Sequence, residues 1–432
     1  YEEKYHSRVK IQKEEGKELG QWPIYYNKSR DTITEVVARV ENPDGRQYTA
    51  DQIQDEAVYK DYPLYHDLHM KVVNLPDVEV GSIIDVTVRS ISARKEIPNQ
   101  YWAEVLVPAI PTQLAKHTYI FPEDKSIKFK SYKMDYKPTV SKSNGTVTYT
   151  IVFNETNPVP HVEEYAPPLQ DVLGALYLSS MEDWKLIADW YRGLMVKNIV
   201  DDTDITLKTL EITKNKESLK DKALSIIEYV QDNFKQVPMS FGDNLVEPHP
   251  TNEIFKAKYG DSKDLTFLVK QMFKIVGIGS NVCLFSAEFA GNPQAGLPNA
   301  SVFSHTILQA SFGEEKIYID PLLKGFSLGQ YPSSYDNAYV FVIDEAGFKF
   351  DNLPVGPEQD RTLSSVGDIL INADGSADFR VHVKLSPESS QSFRQSWSSS
   401  STEDKNKFFD KLEQNFAKNG KLIDRSVKGV ED

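Results

Sequence analysis

Tyr259-Gly260-Asp261-Ser262-Lys263-Asp264 runs directly into Leu265, Leu268, Val269, Met272 and Val276, an apolar stripe at helical spacing that stops at Gly277. The string predicts a helix whose first turn carries a hydroxyl between two carboxylates and a lysine. Upstream of it, from Thr251, the same periodicity predicts a shorter helix and a break. Downstream lie three strand-like stretches, 281–286, 302–311 and 316–319. Helix first and sheet afterwards is an α+β arrangement, and it sets the centre of the fold.

Outward from that centre, Leu219, Ala223, Ile226, Ile227, Val230 and Phe234 predict another helix, ended before Pro238. Ser180-Met181-Glu182-Asp183 starts a helical run bearing Trp184, Ile187, Ala188, Tyr191 and Met195, and Pro167-Pro168 marks a linker before it. From 1 to 160 the pattern is short alternating runs separated by turns. Pro43-Asp44-Gly45 is one such turn; Ile83, Asp85 and Thr87 alternate with Ile84, Val86 and Val88; and Asn144-Gly145, between 126–133 and 146–153, suits a tight hairpin. An antiparallel β-sandwich is the expected closure. After about Tyr335 the strand pattern returns in 340–344 and in a hairpin around Asp374-Gly375. A solvated serine run, 398–401, then pairs Ser400 with Glu403 as a capping box for a helix carrying Phe408, Leu412 and Phe416. The expected organisation is an α+β multidomain chain: a β-sandwich over 1–160, a linker and connecting helix over 161–215, the α+β core over 216–335, and a β-rich module over 336–432 whose completeness the sequence leaves open.

With 432 residues, 40% hydrophobic and 26% charged, the composition is that of a globular chain too long for one core. A formal net charge of −14 argues against a nucleic acid partner, which needs a basic face to displace counterions. Apolar windows are interrupted, as by Lys270 and Lys274 within the central helix, so no membrane-spanning helix is expected. The single cysteine, Cys283, excludes an intrachain disulfide and lies in an apolar strand, where a thiol behaves as a small inert hydrophobe. Tyr1 rather than Met opens the sequence, with no positive-then-apolar leader, which fits a signal segment removed or simply not included and leaves the compartment unread. His66 and His69 with Asp67 invite a metal reading, but strand and loop chemistry without a third ligand argues against it. Neither a phosphate-binding glycine loop nor a zinc spacing is present, so no cofactor and no metal are expected.

Three strings carry the chemistry: the one quoted first, Phe303-Ser304-His305-Thr306 entering a strand, and Tyr318-Ile319-Asp320-Pro321 ending the next. A nucleophile at a helix N-terminus sits at the positive end of the helix dipole, near free backbone N–H groups. A histidine on an adjacent strand takes its proton, and a carboxylate at the end of the following strand orients the imidazole. Ser262, His305 and Asp320 occupy those places. The bland alternatives are a helix cap for Ser262, a half-buried strand histidine, and a strand-terminating aspartate.

In order and context these strings resemble the transglutaminase-like, papain-type cysteine protease superfamily. There a Gly-Asp-Cys-Lys-Asp string, a Phe-Asn-His string and a strand-ending Asp-Pro supply nucleophile, base and orienter. Glu247-Pro248-His249-Pro250 extends the match. Pro43-Asp44-Gly45-Arg46, Gly81-Ser82-Ile83-Ile84-Asp85 and Glu164-Tyr165-Ala166-Pro167-Pro168 are similar to a bacterial subfamily with a β-rich domain of unknown function before the core and another β domain after it. The resemblance covers most of 1–335 and is faint after Phe341.

It implies a catalytic set of Ser262, His305 and Asp320, a ligand side formed by His249, Gly260 and Asp261, a peptide or protein ligand, and a periplasmic or extracellular location. Serine stands where the family has its cysteine, and Ser304 where relatives commonly place asparagine. A hydroxyl cannot be ionised by a helix dipole and one imidazole, so Ser262 is expected to be a poor nucleophile and the protein catalytically impaired. Two alternatives stand beside this: an active hydrolase or acyl transferase, with serine working as nucleophile or replacing a native cysteine through an engineered change, and a structural or adhesion scaffold. Oligomeric state is not legible.

Overall fold

The computed structural model describes residues 2–50, 52–93, 97–156, 172–239, 247–286, 291–357, 362–416, 421 and 423–430. The Pro167-Pro168 linker lies outside them. The chain is a multidomain α+β protein, as its pattern predicts. Between 2 and 92 the alternating runs close into two facing antiparallel sheets. One sheet holds Glu2–Lys10, Ile83–Ser92, Asp31–Glu41 and Gln47–Thr49 in that spatial order, the other Gln21–Asn27, Leu68–Asn74 and Ile53–Ala57. Val40, Ile84 and Val86 from the first meet Val73 from the second in a closed core. Gly45, at φ 85°, makes the turn after Pro43-Asp44, in a region open to a residue without Cβ.

A second sandwich follows where a single one was expected. One of its sheets has Lys128–Tyr132, Ala175–Ser179 and Trp102–Leu106 in that order; the other has Thr139–Ser143, Thr146–Thr156 and Thr112–Pro122. Val105, Leu176 and Leu178 pack on Phe121, Ile151 and Phe153. Asn144-Gly145 does make a hairpin, but its first arm is Thr139–Ser143, while Lys128–Tyr132 pairs with Ala175–Ser179. That last strand falls in the span read as linker and connecting helix. It is buried at every position, which a middle strand covered on both faces requires and an alternation search does not detect.

The central domain is a five-stranded antiparallel sheet of β1 (Gly279–Phe285), β2 (His305–Phe312), β3 (Glu315–Ile319), β4 (Tyr339–Ile343) and β5 (Phe348–Asn352), in spatial order β3-β2-β1-β4-β5. The helices are α1 (Trp184–Asn198), α2 (Thr203–Thr213), α3 (Leu219–Asn233), α4 (Thr251–Ala257) and α5 (Ser262–Ile275). Leu265, Leu268, Val269 and Met272 of the stripe are buried as expected, and so are Phe267 and Phe273, which makes α5 a central helix covered on several sides; Val276, last of the stripe, lies just past the helix and is half-buried. Helix α2 had no forecast; Asp202 caps it by accepting from the Asp204 and Ile205 N–H groups at 2.9 and 3.1 Å. Strands β4 and β5 carry the core to residue 352, beyond the expected boundary at 335. Val340, Phe341, Val342 and Ile343 pair with β1 and are all buried.

The C-terminal region is mixed rather than β-rich. The hairpin Ser364–Ile371 with Ala377–Lys384 forms around Asp374-Gly375. Of the serine run 398–401 expected to be solvated, the first two residues end a helix that was not forecast, α6 (Pro387–Ser399), capped by Ser386, and Ser400 and Ser401 lie between it and the next helix. The Phe393 and Trp397 rings of α6 stack at 5.3 Å, and Phe408 of α7 (Thr402–Phe416) lies 5.5 Å from Phe393. Aromatic packing thus overrides the weak helix propensity of serine. In place of the forecast box of Ser400 with Glu403, the cap is Ser401, whose Oγ accepts from the Asp404 N–H at 3.1 Å and donates to its carboxylate at 2.7 Å. Among the described residues no helix is long and apolar enough to cross a membrane.

Candidate active site

Helix α5 begins at Ser262. Asp261 is its cap, and Asp261 Oδ1 accepts from the Asp264 N–H at 3.1 Å. This uses one of the four N–H groups that a helix start leaves without intrahelical partners, and Ser262 stands at the first helical position. Gly260 is buried, and a Cβ there would fall 2.9 Å from Asp264 Cβ, so glycine is required for the chain to turn this tightly. Ser262 is itself largely covered.

On the sheet, His305 opens β2 and Asp320 follows β3. The loop between these antiparallel neighbours returns Asp320 to the level of His305, and His305 Nε2 donates to Asp320 Oδ2 at 2.8 Å. With Nε2 engaged, Nδ1 keeps the lone pair that a base needs. Two further groups hold the carboxylate: Leu322 N–H donates to Oδ1 at 2.9 Å, and the Tyr335 hydroxyl donates to Oδ2 at 3.0 Å. Burial and the adjacent Asp320 charge keep Tyr335 protonated, its pKa raised well above the ordinary phenol. The Phe285 ring packs edge-on against His305 at 5.4 Å. Tyr335 was missed by sequence reading: it lies in an irregular connection with no motif around it.

The helix start and the histidine lie at the same end of the domain. Thr266 Oγ1 donates to Thr306 O at 2.9 Å, next to His305, while Lys270 Nζ donates to Ser280 O, whose residue pairs with Ala310. Moving along α5 from 266 to 270 therefore follows β2 from 306 to 310. Ser262, one helical turn or about 6 Å before Thr266, falls at the His305 end. Among the described residues Ser262 Oγ and His305 are not hydrogen-bonded to one another. Ser304 Oγ lies 3.4 Å from Ser286 Oγ.

Beneath the helix start is a buried polar cluster joining the first β-sandwich to the core. Asp264 Oδ2 accepts from the Tyr65 hydroxyl and from His249 Nδ1, the latter at 3.0 Å, and Oδ1 accepts from the His249 backbone N–H at 2.7 Å. Tyr65 Oη in turn accepts from the Asp261 N–H at 2.7 Å, and Lys263 Nζ pairs with Asp261 Oδ2. His249 Nε2 lies 2.9 Å from Leu64 O. Both nitrogens of His249 thus face acceptors, which suits an imidazolium, and its ring is turned into this cluster. Burial lowers the His249 pKa, but the Asp264 hydrogen bond and charge outweigh it, and the net direction is upward. Asp264 is pulled the other way: burial favours its neutral form, but His249, Lys263 and Tyr65 hold it below the ordinary carboxylate range. Asp261 is raised by burial and by the Asp264 charge.

A histidine whose pKa is higher folded than unfolded contributes stability that is complete below about 6.5 and is lost as pH rises through the folded value. The stability gap between the native chain and His249→Gln, measured by urea unfolding from pH 5.5 to 9, should be widest at the acid end. It should narrow with rising pH by on the order of 1 kcal/mol. A gap that stays flat or widens with pH contradicts the imidazolium assignment.

Other candidate residues lie elsewhere. Cys283 is fully buried in β1, and burial pushes its thiol pKa up, in keeping with a core residue. His66 Nε2 meets Lys60 O at 2.8 Å, whereas His69 Nδ1 meets Asp55 Oδ1 at 3.0 Å, so the two rings serve separate contacts. A cavity of about 410 Å³ lies along β3, between Lys316 and Tyr318, the loop residues Phe326 and Tyr331, and Arg394 of α6; its lining does not include Ser262, His305 or Asp320.

Fold and geometry together define an α+β core preceded by two β-sandwiches, with a histidine–aspartate pair at the end of the domain where α5 begins. Residues 1–160 match the family described as a domain of unknown function with a solved structure, DUF3857. Among solved structures, a putative protease from Parabacteroides distasonis superposes with a TM-score of 0.71 at 13% identity, covering 87% of this chain and 75% of that one. At that identity the likeness concerns the fold. A putative cysteine protease from Cytophaga hutchinsonii aligns over 88% of this chain and 92% of that one at 10% identity, but its TM-score of 0.24 carries no weight. No curated protein matches.

Proposed function

We propose that this chain is a transglutaminase-like, papain-type protein in which Ser262 takes the place of the nucleophilic cysteine, impaired in catalysis and retained as a binder of peptide or another extended ligand at the cell envelope. The observation that carries the reading is the His305 Nε2–Asp320 contact of 2.8 Å at the end of the domain where α5 begins. This orienting pair leaves Nδ1 as the base, while the residue at the helix start has a hydroxyl that the helix dipole cannot ionise. A periplasmic or extracellular location, and the absence of turnover, belong to the same proposal and rest on the family resemblance and on serine chemistry.

The test compares the native chain with Ser262→Cys on peptide and glutamine-amide substrates. The native chain is expected to bind peptide saturably without turnover, and the thiol form to hydrolyse or transfer. Equal turnover in both forms would establish serine as a working nucleophile and overturn the impaired-site reading. Absence of saturable binding removes its ligand half. The scaffold alternative is favoured if neither form binds or turns over.

A further inference from the structure

The site does not lie within one domain. Tyr65, in the turn Pro63–Tyr65 of the first β-sandwich, is fully buried against the start of α5, some two hundred residues further along the chain. Its hydroxyl makes two bonds of opposite sense: it accepts from the Asp261 N–H at 2.7 Å and donates to Asp264 Oδ2. Those are the residues immediately before and two after Ser262. The Asp261 carboxylate meanwhile caps the Asp264 N–H, so Tyr65 closes a ring of hydrogen bonds around the first turn. A helix start is the segment most prone to fray, and the direction of its free N–H groups sets the field felt by a group at its first position.

The second β-sandwich holds the other half of the site. Trp102 Nε1 donates to Ser301 Oγ at 2.7 Å, Ser179 Oγ to Pro298 O at 2.9 Å, and Lys130 Nζ to Gly296 O at 3.2 Å, all in the connection that delivers His305. Gly296 lies so close to Tyr177 that a Cβ would meet its ring at 2.7 Å.

We infer that the N-terminal β domains are a working part of the site, and that Tyr65 is a positioning residue which fixes the backbone around residue 262 from another domain. This deepens the proposed function and rests on it. The hydroxyl matters here beyond the ring, because no other group named in the cluster both accepts from the Asp261 N–H and donates to Asp264.

The experiment uses the full chain carrying Ser262→Cys, since Cys283 is buried and the native chain provides the blank. Iodoacetamide alkylation is followed against pH. The introduced thiol is expected to titrate below the ordinary value of about 8.5, and adding Tyr65→Phe should slow alkylation at pH 6 about tenfold by moving that titration upward. Tyr259→Phe serves as control: the Tyr259 hydroxyl accepts from Leu64 N–H at 3.0 Å across the same domain contact without touching the first turn, and it should leave the profile unchanged. A low thiol titration that Tyr65→Phe does not move, or that Tyr259→Phe moves equally, overturns the positioning role and leaves the proposed site standing. An ordinary titration in Ser262→Cys itself removes both. Should Tyr65→Phe not fold, hydrogen exchange in the unaltered chain decides: the Asp261 amide is expected to be protected through the domain contact, and free exchange there overturns the inference.

Discussion

Asp264→Ala is expected to destabilise the native fold by about 3–5 kcal/mol, the range for removing one partner from a buried charge cluster. The loss falls on several groups at once. Tyr65 keeps a buried hydroxyl without its acceptor, and the His249 backbone N–H and Nδ1 lose theirs. One term runs the other way, because Asp261 is raised in part by the Asp264 charge and is relieved by its removal. Relief of one repulsion does not balance three donors orphaned around a fully buried carboxylate. Urea unfolding at pH 7 would measure the change, and a loss under 1 kcal/mol would show that the cluster is peripheral to stability. The pH dependence gives a second check. Asp264 has a depressed folded pKa, so its contribution is present above about 3.9 and lost as pH falls through that depressed value. The gap between native and variant should close in acid.

Asp320→Asn tests the orienting pair, and its expected effect is larger in rate than in stability. The two donors already at the carboxylate decide how the amide must sit. Leu322 N–H at Oδ1 can only donate, so the asparagine carbonyl belongs there, and the amide NH₂ then faces His305 and the Tyr335 hydroxyl, which is able to accept. An NH₂ donating to Nε2 forces the imidazole proton onto Nδ1, the nitrogen needed as base. In the Ser262→Cys form turnover should fall by about 10³–10⁴-fold, the loss associated with a wrong tautomer, while the melting temperature changes little. Nitrogen-15 shifts of His305 in the native chain would report the tautomer directly, with no need for activity. Less than a tenfold loss, with the proton still on Nε2, would show that Asp320 does not orient the ring.

The readability of this fold from sequence varied with the range of the interaction. Stripes and turns are local, and the helix from Ser262, the turn at Gly45 and the hairpin at Asp374-Gly375 all stand where the pattern puts them. The pairing of His305 with Asp320 was legible because one antiparallel connection sets its geometry. Partner choice between distant strands was not. Val340–Ile343 reads as a strand, yet nothing in its own residues says that it completes the central sheet beside β1. Ala175–Ser179 hides for a similar reason, as a uniformly buried strand in a stretch marked by prolines. Tyr65 is the extreme case: an ordinary tyrosine in a turn, tied to Asp261 and Asp264 only after two domains have met. His249, expected on the ligand side, has both ring nitrogens against acceptors, Asp264 Oδ2 and Leu64 O, and the second of these contacts joins residues too far apart in the chain for any local motif to record.

The order of the second sandwich bears on biosynthesis. Trp102–Leu106 and Lys128–Tyr132 have no ladder with each other; both pair with Ala175–Ser179, which leaves the ribosome last. At about 5–20 residues per second, the ribosome needs roughly 2–10 s to make the stretch from Tyr132 to Ser179. For that interval neither strand has the partner with which its inner edge pairs in the folded chain, and an unpaired edge is a template for other extended segments. A fragment cut at residue 160, where the family match ends, would remain in that state permanently.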